Sequence, residues 1–318
     1  MARYVIKRIL MIFVIMIAAA FVIFTILYFT PGDPARNLLG ATATAEEIEN
    51  MRHVLGLDQP YLVQLGKFMY NTFIRLDVGN SWTYGVPVMQ ELKNRLPYTV
   101  AIGSISMILN VVIGLSLGIF AATHEGKWQD SVAMIIAMVF ISIPDFWLGL
   151  MMVVLFAQKL HWLPAYGVDH WYSFIMPIIV SSIAGIAVNA RQTRSSMLEV
   201  FRADYITTAR AKGQEENVVV RKHMLPNALM PIITSLGTGF TSIVAGGAVI
   251  ESVFSIPGVG LYMLTGINNR DYPVVRGCVI FFALFTSIAM LLIDLAYAFV
   301  DPRIKAQYSS AGKSGSSK

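Results

Sequence analysis

The chain has 318 residues, of which 56% are hydrophobic and only 14% are charged, and its mean hydropathy is +0.62. This composition excludes an ordinary soluble globular protein and indicates a polytopic membrane protein. The net charge of +5 does not indicate nucleic-acid binding, because the basic residues cluster beside apolar runs instead of forming one stripe. A single cysteine, Cys278, excludes an internal disulfide.

Six apolar runs are long enough to cross a membrane as helices. A crossing helix needs about 20 predominantly apolar residues. Each run is continuously apolar rather than alternating, which favours helices over barrel strands. The predicted spans cover residues 9–29, 98–122, 131–157, 174–190, 228–250 and 277–300. The sequence therefore predicts an all-α membrane protein with six transmembrane helices.

The distribution of Lys and Arg predicts that both termini are cytoplasmic. With the N terminus inside, fifteen basic residues fall on the inner side, whereas the two short outer loops hold only Lys159, Arg270 and Arg276. The first apolar run is too long for the core of a signal peptide, so we expect an uncleaved helix. The predicted parts are a cytoplasmic N terminus 1–8, a first span 9–29, an extracytoplasmic helical segment 30–97, a five-helix core 98–304 with a cytoplasmic loop 191–226, and a disordered cytoplasmic tail 305–318.

The extracytoplasmic segment is predicted to contain three helices. Thr44 and Glu47 have the spacing of a capping box, for a helix that ends near Gly56. Apolar residues recur at helical spacing after Pro60, and a third short helix is expected over 86–96. The aromatic stripe of the second helix is expected to pack onto neighbouring spans rather than to form a substrate lid.

Polar residues inside the predicted spans are the candidates for the transport pathway. Asp145 follows Pro144 in the third span, where a carboxylate is costly and should face the bundle interior or water. Pro144 would free backbone carbonyls that also line a cavity. Asp145 is the first candidate for substrate contact and Asn110 the second, with a structural hydrogen bond to another span as the open alternative for both. Asp294, close to the inner end of the sixth span, is expected to pair with a cytoplasmic basic residue.

No catalytic or metal site is predicted. The spans and their surroundings carry no paired carboxylates, nucleophile elbow or cluster of metal ligands. His161 and His170 lie among aromatic residues that are typical of span ends, and no third ligand is apparent. The tail sequence at 312–314, Gly-Lys-Ser, lacks the first glycine of a phosphate-binding loop and the strand and helix that would frame it.

The 191–226 loop is the most informative part of the chain. Asp204 is expected to cap a helix that runs to Lys212, and Gly213 can adopt the left-handed conformation that ends it. A second helix follows, which Pro226 is expected to stop.

One side of the first loop helix is predicted to dock onto another protein. Tyr205, Ile206 and Ala209 are expected to form an exposed apolar and small-residue face that suits a groove. The flanking basic residues suit an acidic rim; they are Arg202, Arg210 and Lys212. The alternative is a basic loop that lies against anionic lipid headgroups.

The loop resembles the conserved cytoplasmic loop of permease subunits in binding-protein-dependent ABC importers. That pattern is Glu-Ala-Ala, three residues, Gly, nine residues, Ile, one residue, Leu-Pro, and its spacing is matched by Ala209, Gly213, Leu225 and Pro226. Three positions depart from it: Thr207, Thr208 and His223. The form at 208–213, Thr-Ala-Arg-Ala-Lys-Gly, resembles the dipeptide, oligopeptide and nickel branch. Six further segments agree in order, at 31–34, 95–97, 194–197, 251–258, 271–275 and 301–304.

The resemblance implies a type I permease fold and an obligate subunit of a larger importer. Such a permease pairs with a second, homologous permease and with two cytoplasmic ATP-binding subunits, while an extracytoplasmic substrate-binding protein delivers the cargo. No cofactor is expected on this chain, because the partner ATPases use ATP and Mg. The expected location is the plasma membrane of a bacterium or archaeon, the inner membrane in a Gram-negative cell.

By the same resemblance, the loop helix would sit in an ATPase cleft and carry nucleotide-driven closure to the spans. The residues assigned to this coupling are Ala203, Asp204, Tyr205, Ile206, Thr208, Ala209, Arg210, Ala211, Lys212, Gly213, Leu225 and Pro226. The implied cargo is a dipeptide or oligopeptide, with nickel chelates, opines or another small solute as alternatives. A proton-coupled secondary transporter that uses Asp145 and Asp294 is the alternative outside the family. A partner-docking loop argues against it.

Overall fold

The computed structural model describes residues 2–228 and 247–300 and is almost entirely helical over that range. In chain order, the first helices are α1 Ala2–Phe29, α2 Pro34–Leu39, α3 Ala45–Leu55, α4 Tyr61–Phe73, α5 Val88–Thr123, α6 Trp128–Ser142 and α7 Asp145–Met152. A π-helical turn, Val153–Lys159, and a 3-10 turn, Trp171–Phe174, precede α8 Ile175–Phe201 and the loop helices α9 Asp204–Ala211 and α10 Glu216–Val218. The last helices are α11, described over 247–253, α12 Val259–Asn268 and α13 Tyr272–Val300. Between described residues the β structure is one isolated bridge, Asn80 with Pro87, so the predicted all-α class is confirmed.

Four described helices are long and apolar enough to cross a membrane. They cover Ile6–Phe29, Val88–Thr123, Trp171–Phe201 and Tyr272–Leu291, and correspond to the first, second, fourth and sixth predicted spans. The predicted fifth span, 228–250, falls mostly outside the described residues. The tail 305–318 lies outside them entirely.

The third predicted span, 131–157, is broken rather than straight. α6 and the segment Asp145–Lys159 are bent by 95° at Pro144. Ile143 is extended, with φ −84° and ψ 124°, because a residue before proline is pushed out of the helical region. Asp145 therefore begins a new helix instead of lying in the middle of a span.

The prediction of a separate helix over 86–96 is wrong. α5 runs without interruption through Pro97 and on to Thr123. Its first turns are held by Val88 and Leu92, which are almost fully buried, so one missing backbone hydrogen bond does not end the helix. The chain divides into two compact units, 1–98 with 257–318 and 99–256, and the first division falls directly after Pro97 and Tyr98.

The 30–97 segment belongs to the first unit and follows the remaining helix predictions. Thr44 and Glu47 form the capping box, and Gly56 ends α3 with φ +68°. Phe68 of α4 is buried in one cluster with Phe24 of α1 and Ile280 of α13. The aromatic stripe therefore packs onto spans, as expected.

In the second unit, α5 and α8 approach so closely that glycine is required at the contact. A Cβ added at Gly118 would lie 2.4 Å from Cβ of Thr193 and 2.6 Å from the carbonyl oxygen of Ala190. A Cβ at Gly114, one helical turn earlier, would lie 2.8 Å from Cβ of Asn189. The two glycines have the Gly-x-x-x-Gly spacing by which helix backbones come together in membranes.

α8 continues eleven residues beyond the predicted end of the fourth span, so the polar 191–226 stretch is not all loop. Arg194 on this extension donates to Asp130 of α6 through Nε, at 2.5 Å from Oδ1, and through Nη2, at 2.6 Å from Oδ2. Asp130 is only 4% exposed. Because the pair satisfies both charges, the helix can continue past the apolar run.

Candidate functional site

The candidate site is a helical hairpin within the 191–226 stretch. α9 forms the first arm, and α10 with the π-helical turn Val219–Met224 forms the second. The N-cap of α9 is Ala203, with φ −76° and ψ 142°, and not Asp204 as predicted. Asp204 is the first helical residue, where a carboxylate still interacts favourably with the helix dipole.

Gly213 turns the chain between the two arms. Its φ is +75°, the left-handed value predicted for this position, and its N–H donates to the carbonyl of Arg210 at 2.9 Å. A Cβ placed at Gly213 would have no heavy atom within 4 Å. The position therefore demands glycine for its backbone conformation and not for lack of space.

The predicted docking face of α9 is partly wrong. Ile206 and Ala209 are buried, in one cluster with Met197 of α8 and with Val219 and Met224 of the second arm. Helical spacing puts residues 206 and 209 on one side, and the hairpin's own apolar residues cover that side. These two side chains anchor α9 to the rest of the chain and are not available to a partner.

The opposite side of α9 is exposed and has a helical spacing of its own. Tyr205 is 46% exposed, as predicted, but it does not share a face with Ile206 and Ala209, contrary to the prediction. The exposed residues on this side are Asp204, Tyr205, Thr207, Thr208, Ala211 and the C-cap residue Lys212. We call these six residues the outer face of α9; it combines one aromatic ring, small side chains and one charge of each sign.

An ion pair that sequence reasoning missed holds the two arms together. Arg210 donates to Glu216 through Nε, at 3.0 Å from Oε2, and through Nη2, at 2.6 Å from Oε1. The same guanidinium lies 4.1 Å from the centroid of the Phe201 ring. The hydrogen bond between the two side chains lowers the pKa of Glu216 and raises the pKa of Arg210, because it favours the charged form of each. In the sequence, the opposite charges of Arg210 and Glu216 on either side of Gly213 could have indicated this pair.

Two of the three basic residues predicted to meet an acidic rim instead pair within the chain. Arg210 is committed to Glu216, and Arg202 lies 3.2 Å from Glu125. Lys212 remains exposed.

Pro226 does not stop the second arm, contrary to the prediction. Residues 225–228 are helical and follow directly on the π-helical turn. The wider turn accommodates a proline, which lacks an N–H and would otherwise press on the carbonyl four residues back. His223, which departs from the family pattern, lies 2.8 Å from Oε1 of Gln214 and ties the end of this turn to the hairpin loop.

The candidate pathway residues lie in different surroundings. Asp145 is exposed at the start of α7, directly after the helix break at Pro144. Asn110 is buried beside Gly185 of α8, where an added Cβ would lie 2.2 Å from its Nδ2. Its Oδ1 has no hydrogen-bond partner among the described residues. The side chain of Asp294 lies outside the described part of the chain.

Long apolar helices, with a hairpin packed on the ends of α5 and α8, define a multi-pass membrane protein. Residues 114–306 match the family described as the binding-protein-dependent transport system inner membrane component, and residues 1–103 match the N-terminal model of such membrane components. The chain belongs to this family. It is the permease subunit of an ABC importer, located in the plasma membrane, and is not itself an enzyme.

Relatives match over nearly the whole chain. The dipeptide transport system permease protein DppB of Alkalihalophilus pseudofirmus is 37% identical over 96% of this chain and 100% of that protein. The glutathione transport system permease protein GsiC of Escherichia coli is 38% identical over 96% of this chain and 99% of that protein. The predicted resemblance to the dipeptide and oligopeptide branch is therefore confirmed.

Solved structures support the type I permease fold. An inward-facing structure of the MetNI methionine ABC transporter matches with a TM-score of 0.58 and 20% identity, over 67% of this chain and 97% of the solved chain. An amino acid ABC transporter with histidines matches with a TM-score of 0.51 and 16% identity, over 65% of this chain and 92% of that chain. At these identities, the likeness shows the fold alone.

Proposed function

We propose that the chain forms, with a second homologous permease, a pathway for the inward transport of dipeptides or short oligopeptides. ATP hydrolysis in two cytoplasmic subunits, which bind ATP and Mg, drives the transport, and an extracytoplasmic binding protein delivers the cargo. The support for the cargo is that near-full-length relatives carry dipeptide and glutathione names, and both names denote small peptides.

The observation that carries the coupling role is the form of the hairpin. Ile206 and Ala209 anchor α9 to the rest of the chain, while its outer face stays exposed. A short helix that is packed against its own chain on one side and exposed on the other can dock in a cleft of the ATPase. It would then move as a rigid body with that subunit. Leu225 and Pro226 continue the second arm toward the predicted fifth span, so movement of the hairpin would reach the spans.

The proposal includes six spans with both termini in the cytoplasm, because this orientation puts the basic hairpin on the ATPase side. Asp145 is the proposed substrate contact. It is exposed at a broken helix, and an aspartate there suits the ammonium group of a peptide. Pro144 contributes the break. Asn110 is buried, which favours the structural alternative for that residue.

The cargo is tested with the whole importer reconstituted in proteoliposomes. We expect ATP-dependent uptake of a labelled dipeptide that excess unlabelled dipeptide inhibits and a nickel chelate does not. Uptake of the nickel chelate without dipeptide uptake would move the chain to the alternative cargo.

The pathway role of Asp145 is tested in the same system. Asp145→Asn should reduce uptake of cationic peptides more than Asp294→Asn does, because only the first removes a charge from the proposed path. Equal effects of the two substitutions, or none, would remove Asp145 from the pathway.

A further inference from the structure

Arg276, near the outer end of α13, is a shielded cation in aromatic surroundings. Its guanidinium carbon lies 4.6 Å from the ring centroid of Phe24, 5.1 Å from that of Phe68 and 5.6 Å from that of Tyr272. Its Nε is inaccessible to solvent and has no hydrogen-bond partner among the described residues. Ring faces offset only part of the cost of desolvating a guanidinium, so an anion is the missing component.

The Arg276 side chain lines a cavity between α13, α1 and the 30–97 segment of the first unit. The cavity volume is about 390 Å³, within the size range of small-molecule sites. Lys67 and Asn71 of α4 and the carboxylate of Asp77 also line it. The lining therefore offers positive, negative and amide groups within one concave site.

We propose that this cavity binds a small zwitterion that has a free carboxylate. Arg276 donates to the carboxylate, since a planar guanidinium suits two parallel hydrogen bonds. Asp77 accepts from the ammonium group; its Oδ1 takes the Gly79 N–H at 2.8 Å, which orients the carboxylate.

The presence of Asp77 distinguishes a small zwitterion from an acidic side chain of another subunit. A protein carboxylate entering the cavity would be repelled by Asp77. A zwitterion can instead pair its carboxylate with Arg276 and its ammonium group with Asp77. A free dipeptide has the required chemistry, and this choice of ligand rests on the peptide cargo proposed above. The cavity would be an additional outer site within the first unit, lined by described residues between Phe24 and Trp82 and by Pro273 and Arg276.

The test is calorimetric titration of the full-length chain in lipid nanodiscs. We expect L-alanyl-L-alanine to bind at least tenfold more tightly than L-alanyl-L-alaninamide, which lacks the carboxylate. Arg276→Gln should remove this preference. Arg75→Gln is the matched control, because Arg75 is an exposed arginine of the same unit outside the cavity lining, and this variant should bind the dipeptide as the unmodified chain does.

Asp77→Asn keeps the proposal testable if Arg276→Gln fails to fold. Asp77 is exposed, and asparagine retains an oxygen that can accept the Gly79 N–H. We expect it to weaken binding of the dipeptide at least fivefold but to leave binding of N-acetyl-L-alanyl-L-alanine, which has no ammonium group, unchanged.

Equal binding of the dipeptide and its amide would overturn the inference, as would unchanged binding by a folded Arg276→Gln variant. Absence of binding in the full-length chain would also overturn it, even if the reconstituted importer still takes up dipeptide. That result would leave the proposed function intact. Conversely, carboxylate-dependent binding at Arg276 in an importer that transports no peptide would contradict the proposed function alone.

Discussion

Gly213 has a left-handed backbone conformation and lies in the hairpin that is proposed to couple ATP hydrolysis to transport. Gly213→Val places a β-branched side chain at φ +75°, where the backbone strain is about 1–2 kcal/mol, although no neighbouring atom clashes. We expect normal insertion into the membrane but a several-fold rise in ATP hydrolysed per peptide transported. Proteoliposomes that measure both rates give the ratio.

The control for Gly213 is Gly126, in the turn between α5 and α6. Its φ is +74° and its added Cβ also meets open space, so Gly126→Val imposes the same kind of strain outside the hairpin. Gly213→Asn should restore coupling, because asparagine tolerates the left-handed conformation. A Gly213→Val importer that is as tightly coupled as the unmodified one would contradict the prediction.

Single residues also show why some features could be predicted from the sequence and others could not. The left-handed turn at Gly213 depends on local chemistry, as does the capping box of Thr44 and Glu47, and both were predicted. Two prolines in apolar surroundings affect the helix in opposite ways. Pro144 breaks a helix, whereas Pro97 lies inside one, because buried side chains hold the turns that precede Pro97. That difference depends on contacts between segments distant in sequence.

At the scale of elements, the hairpin depends on the Arg210–Glu216 pair. Both side chains are partly exposed, so the pair contributes about 0.2–1 kcal/mol rather than a buried-pair value. We expect Arg210→Gln to increase hydrogen exchange of the α9 amides more than Glu216→Gln does, because only the first also removes the contact with Phe201. Equal exchange in the unmodified chain and both variants would show that the pair does not hold the arms.

The same pair predicts a pH dependence. Because Arg210 lowers the pKa of Glu216 below its ordinary value of 4.5, the stabilisation is fully present above that value. It is lost as the pH falls through the lowered pKa. Exchange of the α9 amides, corrected for intrinsic rates, should therefore rise in acid in the unmodified chain, and the Glu216→Gln variant should lack this component.

The sequence predicted that Tyr205, Ile206 and Ala209 share a face; Ile206 and Ala209 do, whereas Tyr205 lies on the exposed side. It did not predict which side would be covered, because the covering residues Val219 and Met224 belong to the second arm. An amphipathic face read from sequence identifies a contact surface without identifying its partner. For this hairpin, the apolar side was assigned to another protein and belongs to the permease itself.

Close packing of α5 on α8 gives a second prediction for elements. Gly118→Ala would bring Cβ within 2.6 Å of the backbone oxygen of Ala190, and such overpacking costs about 1–3 kcal/mol. Gly66→Ala in α4 is the matched helical control, because its Cβ would meet no atom within 4 Å. We expect the first variant to lower the midpoint of thermal unfolding in detergent and the second to leave it unchanged or raise it. Equal midpoints would show that α5 and α8 are not in close contact.

At the scale of the whole molecule, the chain is a subunit whose energy source lies elsewhere. Reconstituted alone in liposomes with a labelled dipeptide, it should transport nothing, with or without ATP. A pH gradient should not change this, because the chain belongs to a family of permease components and its hairpin is proposed to dock onto an ATPase. Adding the second permease and the two ATPases, with binding protein on the outside, should establish ATP-dependent uptake. Uptake driven by a pH gradient in the chain alone would contradict the subunit assignment and restore the proton-coupled alternative through Asp145 and Asp294.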